Sequence, residues 1–297
     1  MKPTASAPRT VGDWWREIEH RFARARLFFG HGTHSARDEA AWLVCYVSRL
    51  PFDELATALN LPVKPAVGRR LQMLASRRIT EREPLAYLLR EAWLGNHRFY
   101  VDRRVIVPRS HIAELIPEAL NPWLPKRAVR RILDLGTGSG CLAILCALAF
   151  PTARVDAADL SRDALAVARR NVRDYQFGDR VRLVESNLFS ALSQARYDLI
   201  VCNPPYVADA AMRRLPAEYR REPRLALAGG RDGLALVKRL LAEAPRYLSP
   251  NGVLVVEVGD GRRAVQRAFP RLQVTWLATG MSEDAVFLAR RPELGGL

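Results

Sequence analysis

The chain has little lysine, little cysteine and little histidine. Only four of its 46 basic residues are lysines (Lys2, Lys64, Lys126 and Lys238), and the rest are arginine. The four cysteines, at positions 45, 141, 146 and 202, show no C-x-x-C spacing and have no histidine cluster beside them. That pattern excludes the usual zinc and dithiol motifs and reads as reduced, packing cysteines in a reducing compartment. His31 and His34 share a Gly/Thr-containing loop, but the neighbourhood supplies no further ligands, so no metal is expected. Long apolar runs are also missing. The longest candidate, Cys141–Phe150, falls short of the ~18–20 residues of a membrane span and reads as a buried helix. The first nine residues lack the apolar centre of a secretory signal, so the expected location is cytoplasmic, with no membrane partner.

What is present describes a globular protein. The 297 residues are 49% hydrophobic and 26% charged, enough for two domains of ordinary size. The formal net charge is +15. Such an excess points to contact with nucleic acid or a ribonucleoprotein. It is equally accounted for by a GC-rich coding sequence that inflates arginine and alanine, and the charges are spread widely.

Residues 1 to about 9 are small, proline-containing and aperiodic, and read as disordered. A helical period then places Trp14, Trp15, Ile18, Phe22 and Ala25 on one face. Ser35 can cap a second helix carrying Ala40, Leu43, Val44 and Val47 inward. Pro51 opens a third, short helix, and Val67 to Ile79 suits a fourth. The expected helical domain covers residues 1–92. Residues 93–109 contain β-formers and read as a linking hairpin with its turn at Asp102-Arg103. Residues 110–297 form the second expected domain, beginning with a helix from Ser110 to about Leu120.

Strand and helix alternate after that. Strands are expected at 131–135, 154–158, 181–185, 197–202, 252–258, 272–277 and 285–289, and helices at 140–150, 162–172, 233–244 and 262–269. The early alternation demands an α/β fold, a mostly parallel sheet covered on both faces. The last two strands are too closely connected for a crossover helix and should pair antiparallel.

Two segments carry the chemistry. Asp134-Leu-Gly-Thr-Gly-Ser-Gly140 joins a strand to a helix at the carboxyl edge of the sheet, where open α/β folds bind ligands. Its glycines at 136, 138 and 140 allow tight turning and close approach to a ligand, and Thr137 and Ser139 lie between them. The spacing G-x-G-x-G differs from the G-x-G-x-x-G of dinucleotide sites. Asp159 ends the second strand of this series, where a carboxylate can accept both hydroxyls of a ribose; the alternative is an N-cap for the helix near Ser161. Asn187 and Leu188, after the third strand, can meet an adenine ring by its exocyclic amine and its face, or form a polar turn.

The second segment is Asn203-Pro-Pro-Tyr206, directly after the fourth strand. An amide nitrogen attacks a methyl group badly because its lone pair is delocalised. The Asn203 side-chain oxygen and the Pro204 carbonyl can each accept one N–H, leaving the lone pair aimed at an electrophile. Pro204 and Pro205 stiffen the loop, and Tyr206 can pack on a planar target. A nucleoside-binding loop beside such a clamp suggests methyl transfer from S-adenosylmethionine (SAM) to a poorly nucleophilic nitrogen.

With these segments in hand the chain resembles the HemK/PrmB-type family of SAM-dependent protein glutamine N5-methyltransferases over nearly its full length. The matching segments are 83–87, 107–110, 134–140, 203–206 and 222–227. The reading Val107-Pro-Arg-Ser, together with Leu215-Pro-Ala-Glu-Tyr-Arg220, is similar to the branch acting on the third large-subunit ribosomal protein rather than on release factors. The resemblance implies a Rossmann-like domain preceded by a helical domain that recognises the protein substrate. It implies SAM binding at Asp134, Gly136–Gly140, Asp159, Asn187, Leu188 and Asn203, and glutamine binding at Asn203–Tyr206. Two departures stand out: the family usually has Asp where Asn187 stands, and commonly Pro where His111 stands. Arg109 either lines the substrate mouth or forms a hinge salt bridge. Ribosomal RNA or an assembly intermediate is a further expected partner. The alternatives are the release-factor enzyme, an adenine-N6 nucleic-acid methyltransferase, and a ribosome-assembly binder without catalysis.

Overall fold

The computed structural model describes residues 9–118, 120–125, 128–193, 196–280 and 282–295. The expected disorder at the N-terminus lies, apart from Arg9, outside the described residues. The chain divides into two compact units, Met1–Arg90 with Pro216–Arg221, and Glu91–Leu215 with Glu222–Leu297.

The first unit is helical. Helix α1 (Val11–Arg24) starts at Thr10, whose hydroxyl accepts from the Asp13 N–H while Asp13 accepts from the Thr10 N–H, a reciprocal cap. Helix α2 (Ala36–Ser48) is capped by Ser35, as its sequence predicts. Then come α3 (Leu55–Ala58), α4 (Pro65–Glu81) and α5 (Leu85–Leu89). Trp14, Ile18 and Phe22 of α1 are buried with Leu43 and Val44 of α2 and Leu71 of α4. Trp15 and Ala25, predicted on the same face, only flank this core. A Cβ at Gly68 would lie 2.7 Å from the Trp14 ring, so glycine is what lets α4 meet that indole. The centre also holds a charge. Arg78 is fully buried, with Nε 2.6 Å from Glu39, Nη1 3.3 Å from Glu218 and Nη2 3.0 Å from the Phe28 carbonyl. Burial pushes the Glu39 carboxyl above its usual range, against the pull of Arg78.

The second unit opens with a hairpin of β1 (Ala92–Leu94) and β2 (His97–Phe99). Its turn is Gly95-Asn96, not Asp102-Arg103. Gly95 sits at φ +57, a left-handed conformation that glycine adopts without strain. A turn does exist at Asp102, whose carbonyl accepts from the Val105 N–H, but the chain on either side of it does not pair. The expected helix from Ser110 is a single turn, α6 (Ile112–Leu115).

The seven-stranded sheet runs β5-β4-β3-β6-β7-β9-β8, with β3 (Arg131–Leu135), β4 (Arg154–Asp159), β5 (Val181–Glu185), β6 (Tyr197–Cys202), β7 (Leu248–Glu257), β8 (Thr275–Leu277) and β9 (Val286–Arg290). The first five of these pair parallel; β9 pairs antiparallel with both β7 and β8. Helices α7 (Cys141–Ala149), α8 (Arg162–Asp174), α9 (Asp209–Met212), α10 (Ala235–Glu243) and α11 (Arg262–Ala268) fill the connections. Apolar clusters line both faces of the sheet, so strands such as Ile132–Leu135 and Leu199–Cys202 are buried throughout. Helix α7 is apolar around nearly its whole circumference because it packs inside one of those clusters. No helix among the described residues is long and apolar enough to cross a membrane.

Candidate active site

The sheet register assembles the site. Leu135 pairs with Ala158 on one side and Cys202 on the other, and Cys202 pairs with Val256. The next residue of each strand therefore falls on one row at the carboxyl edge: Asp159, Gly136, Asn203 and Glu257. Three of the four were expected at this edge from sequence.

The glycine loop folds back on its neighbour. The N–H groups of Gly136 and Thr137 both donate to the Ala158 carbonyl, at 2.8 and 3.0 Å. Gly136, Gly138 and Gly140 all have positive φ, at +71, +55 and +81. Their reasons differ. A Cβ at Gly136 would meet nothing within 4 Å, and one at Gly138 only a backbone oxygen at 3.9 Å, so this part of the loop faces open space. A Cβ at Gly140 would press on Ala168 of α8 at 3.2 Å, so this glycine serves helix packing.

Asp134 lies buried beneath the loop. Its Oδ2 accepts from the Thr137 hydroxyl at 2.6 Å and from the Ala143 N–H at 3.0 Å. Its Oδ1 is buried without a hydrogen-bond partner among the described residues. Burial pushes its pKa up to about 7, against the pull of Thr137 and Ala143 and with a further push from Asp159. An orphaned buried carboxylate oxygen under open, glycine-lined backbone fits a ligand carrying a cationic group and suits SAM. Asp159 holds the loop from the side: its Oδ2 accepts from the Gly138 N–H at 2.9 Å and its Oδ1 from the Ser161 N–H at 2.8 Å. The N-cap of α8 is Ser161, not Asp159. Burial also raises the Asp159 carboxyl, while the N–H groups of Ser161, Gly138 and Leu160 lower it.

Asn187 and Leu188 follow β5. The Asn187 side-chain oxygen accepts from Arg239 at 3.1 Å, and the residue is exposed. Leu188 has φ +53 and turns its side chain into the apolar cluster beneath the sheet. Ser139 is buried; its carbonyl accepts from the Asn171 side chain at 2.8 Å. That same amide exchanges bonds with the Tyr100 backbone at 2.8 and 3.0 Å, so Asn171 of α8 pins the glycine loop to the strand end after the hairpin.

Asn203 is half-buried at the end of β6, and its carboxamide bonds to no other described side chain or backbone group. Pro204 behind it is buried. Main-chain bonds hold the chain just after Tyr206. Val207 donates to Leu227 at 2.9 Å and accepts from Gly229 at 2.8 Å. Side chains at Gly229 and Gly233 would collide with the carbonyls of Pro205 and Tyr206, at 2.8 and 2.5 Å. The Tyr206 ring rests on Gly259, where a Cβ would come within 2.8 Å, and its hydroxyl reaches Glu257 Oε1 at 3.4 Å.

Two buried carboxylates escaped the sequence reading. Glu222, noted only as part of a matching segment, takes both guanidinium nitrogens of Arg109 at 2.6 Å and the Val107 N–H at 2.9 Å. Glu257 accepts from the Ser110 hydroxyl at 2.6 Å and the His111 N–H at 2.9 Å. Burial raises Glu257, and the Ser110 hydroxyl is the strongest opposing influence. Each partner lies more than a hundred positions away. The one available signal was a lone acid closing the apolar run Val253–Val256.

Comparison with known proteins places these features in company. A family model described as Methyltransferase small domain matches residues 117–218, and one described as PrmC N-terminal domain matches residues 13–89. A protein of Bordetella pertussis named ribosomal protein uL3 glutamine methyltransferase is 55% identical over 96% of both chains. Proteins of the same name from Burkholderia pseudomallei and Neisseria meningitidis are 49% and 46% identical, over 96% and 97% of this chain and 96% and 95% of theirs.

Proposed function

Since the chain belongs to the family of ribosomal protein uL3 glutamine methyltransferases, SAM-dependent enzymes, we propose that it methylates the side-chain nitrogen (N5) of a glutamine in uL3. The names of the relatives favour this over a release-factor or adenine substrate. The observation that carries it is the Asn203 carboxamide, without a partner among the described residues, one strand from the glycine loop.

SAM supplies an electrophilic methyl group on a sulfonium. Gly136 to Gly140 and Asp134 would hold it, with Asp159 at the ribose and the turn at Asn187 and Leu188 toward the adenine. The Asn203 oxygen and the Pro204 carbonyl accept the two N–H bonds of the substrate amide. They favour the pyramidal, positively charged nitrogen of the transition state over the planar ground state; the methylated nitrogen, then strongly acidic, loses one N–H proton to water, so no strong base is required. Pro204 and Pro205 hold that geometry in advance, which spares the ordering cost at the moment of reaction. Tyr206 packs on the carboxamide plane. Arg109, clamped by Glu222, serves the fold rather than the substrate.

In this reading the helical unit receives the protein substrate, the enzyme works in the cytoplasm, and ribosomal RNA or an assembly intermediate accompanies uL3. Incubation with SAM and unmethylated uL3 should add the mass of one methyl group to one glutamine. Absence of that gain, with a gain on a release factor instead, would overturn the substrate assignment.

A further inference from the structure

The segment after Tyr206 leaves the second unit at Leu215 and returns at Glu222. Its outgoing limb, residues 207–215, and its returning limb, residues 222–233, are joined by backbone bonds: Val207 to Leu227, Gly229 to Val207, and Asp209 to the Gly230 carbonyl at 2.9 Å. The limbs carry four exposed arginines, Arg213, Arg214, Arg224 and Arg231. None of the four forms an ion pair or hydrogen bond through its side chain with another described residue. Their acids are largely spent. Glu222 is turned inward onto Arg109, and Asp232 holds Lys238 at 2.5 Å, leaving Asp209 as the one exposed carboxylate without a partner.

Elsewhere in this unit many exposed arginines do have carboxylate partners: Arg104 with Asp102, Arg162 with Glu185, Arg182 with Asp156, Arg262 with Asp284. Others, such as Arg263, Arg267 and Arg271, are exposed with no carboxylate partner among the described residues, so what sets the two limbs apart is their position. The stretch is the one braced against the Asn203–Tyr206 loop. A protein that neutralises RNA phosphates is itself cationic, so a free ribosomal protein and an enzyme of net charge +15 repel each other. A polyanion between them removes that repulsion, and guanidinium groups match phosphate in charge and geometry.

Resting on the uL3 reading above, we propose that Arg213, Arg214, Arg224 and Arg231 form a phosphate-binding surface for RNA bound to the substrate, so that the preferred substrate is a protein–RNA complex. The contact is electrostatic and reads no sequence.

The test compares wild type with Arg213→Gln, Arg214→Gln, Arg224→Gln and Arg231→Gln combined. The probe is labelled fragments of large-subunit ribosomal RNA, followed by fluorescence anisotropy between about 50 and 200 mM salt. Wild type should bind with a steep salt dependence; the variant should bind about tenfold or more weakly, with a log–log salt slope shallower by about three. SAM affinity and the methylation rate of free uL3 should stay within about twofold, while the rate on uL3 preloaded with the RNA falls toward the free-protein rate. Equal RNA affinity in the two proteins overturns the proposal. So does tighter binding of polyglutamate than of the RNA at equal charge, which would assign the surface to an acidic protein. If wild type methylates neither form of uL3, the substrate reading fails, and the binding comparison still decides whether the surface holds RNA.

Discussion

Arg109 and Glu222, far apart in sequence, meet through two parallel hydrogen bonds of 2.6 Å each, and Glu222 is fully shielded from solvent. A planar guanidinium can do this and an ammonium cannot. Arg109→Lys should therefore lower stability to urea by about 2 kcal/mol, as expected for a lost charge-assisted bond, with turnover at saturating substrate nearly intact. Unchanged stability together with a raised KM for uL3 would assign Arg109 to the substrate instead.

Asn203 should matter to rate and not to folding. Its carboxamide makes no hydrogen bond with another described residue, so Asn203→Ala should leave the thermal midpoint in place. Turnover should fall by about 10²–10³, the usual loss for one oriented transition-state partner. Wild-type kcat in the variant would remove the residue from the mechanism.

The glycine loop should respond differently at two positions. Gly138→Ala meets open space, so its cost is the left-handed backbone strain of about 1–2 kcal/mol, and isothermal titration should show weakened SAM binding. Gly140→Ala adds a collision with Ala168 and should be the less stable of the two. Adding Ala168→Gly should recover the collision part and leave the strain. Equal melting of the single variants, or no recovery in the double, would contradict the packing role.

Asp134 gives a pH dependence with a defined sign. Its folded pKa is about 7, above the value of about 4 for an exposed carboxyl. The folded state therefore binds the extra proton between those values, and this group's contribution to stability is full below pH 4 and lost as pH rises through 7. In the SAM-free protein, Asp134→Asn should flatten that decline between pH 5 and about 7.5. The carboxylate form suits a cationic ligand, so wild-type SAM affinity should rise across the same interval. A parallel melting profile in wild type and variant would show that Asp134 titrates elsewhere.

Much of this was legible in the sequence because the signals are local. The parallel strands and the Ser35 cap follow from periodicity and side-chain chemistry within a few residues, whereas the cap of α8 falls on Ser161 and not on Asp159. The glycine loop and Asn203 were legible for the same reason, and the register then set them side by side. The hairpin turn was misplaced because Asp102-Arg103 is a real turn; only pairing, a non-local property, separates it from Gly95-Asn96. The helix expected from Ser110 stops after one turn, and the Ser110 hydroxyl and His111 N–H go to Glu257 from a strand near the other end of the chain. The partners of Asn171, Glu222 and Glu257 were invisible for that reason. Each acts through partners that no spacing rule connects.

The contacts at Gly229 and Gly233 have a genetic corollary. What a side chain would strike there is peptide carbonyl and main-chain carbon, and every amino acid carries those atoms. A damaged methionine or leucine pocket can be rescued by trimming a neighbour. Here no neighbour can be trimmed, so a selection for suppressors of Gly233→Ala should return the original codon and little else.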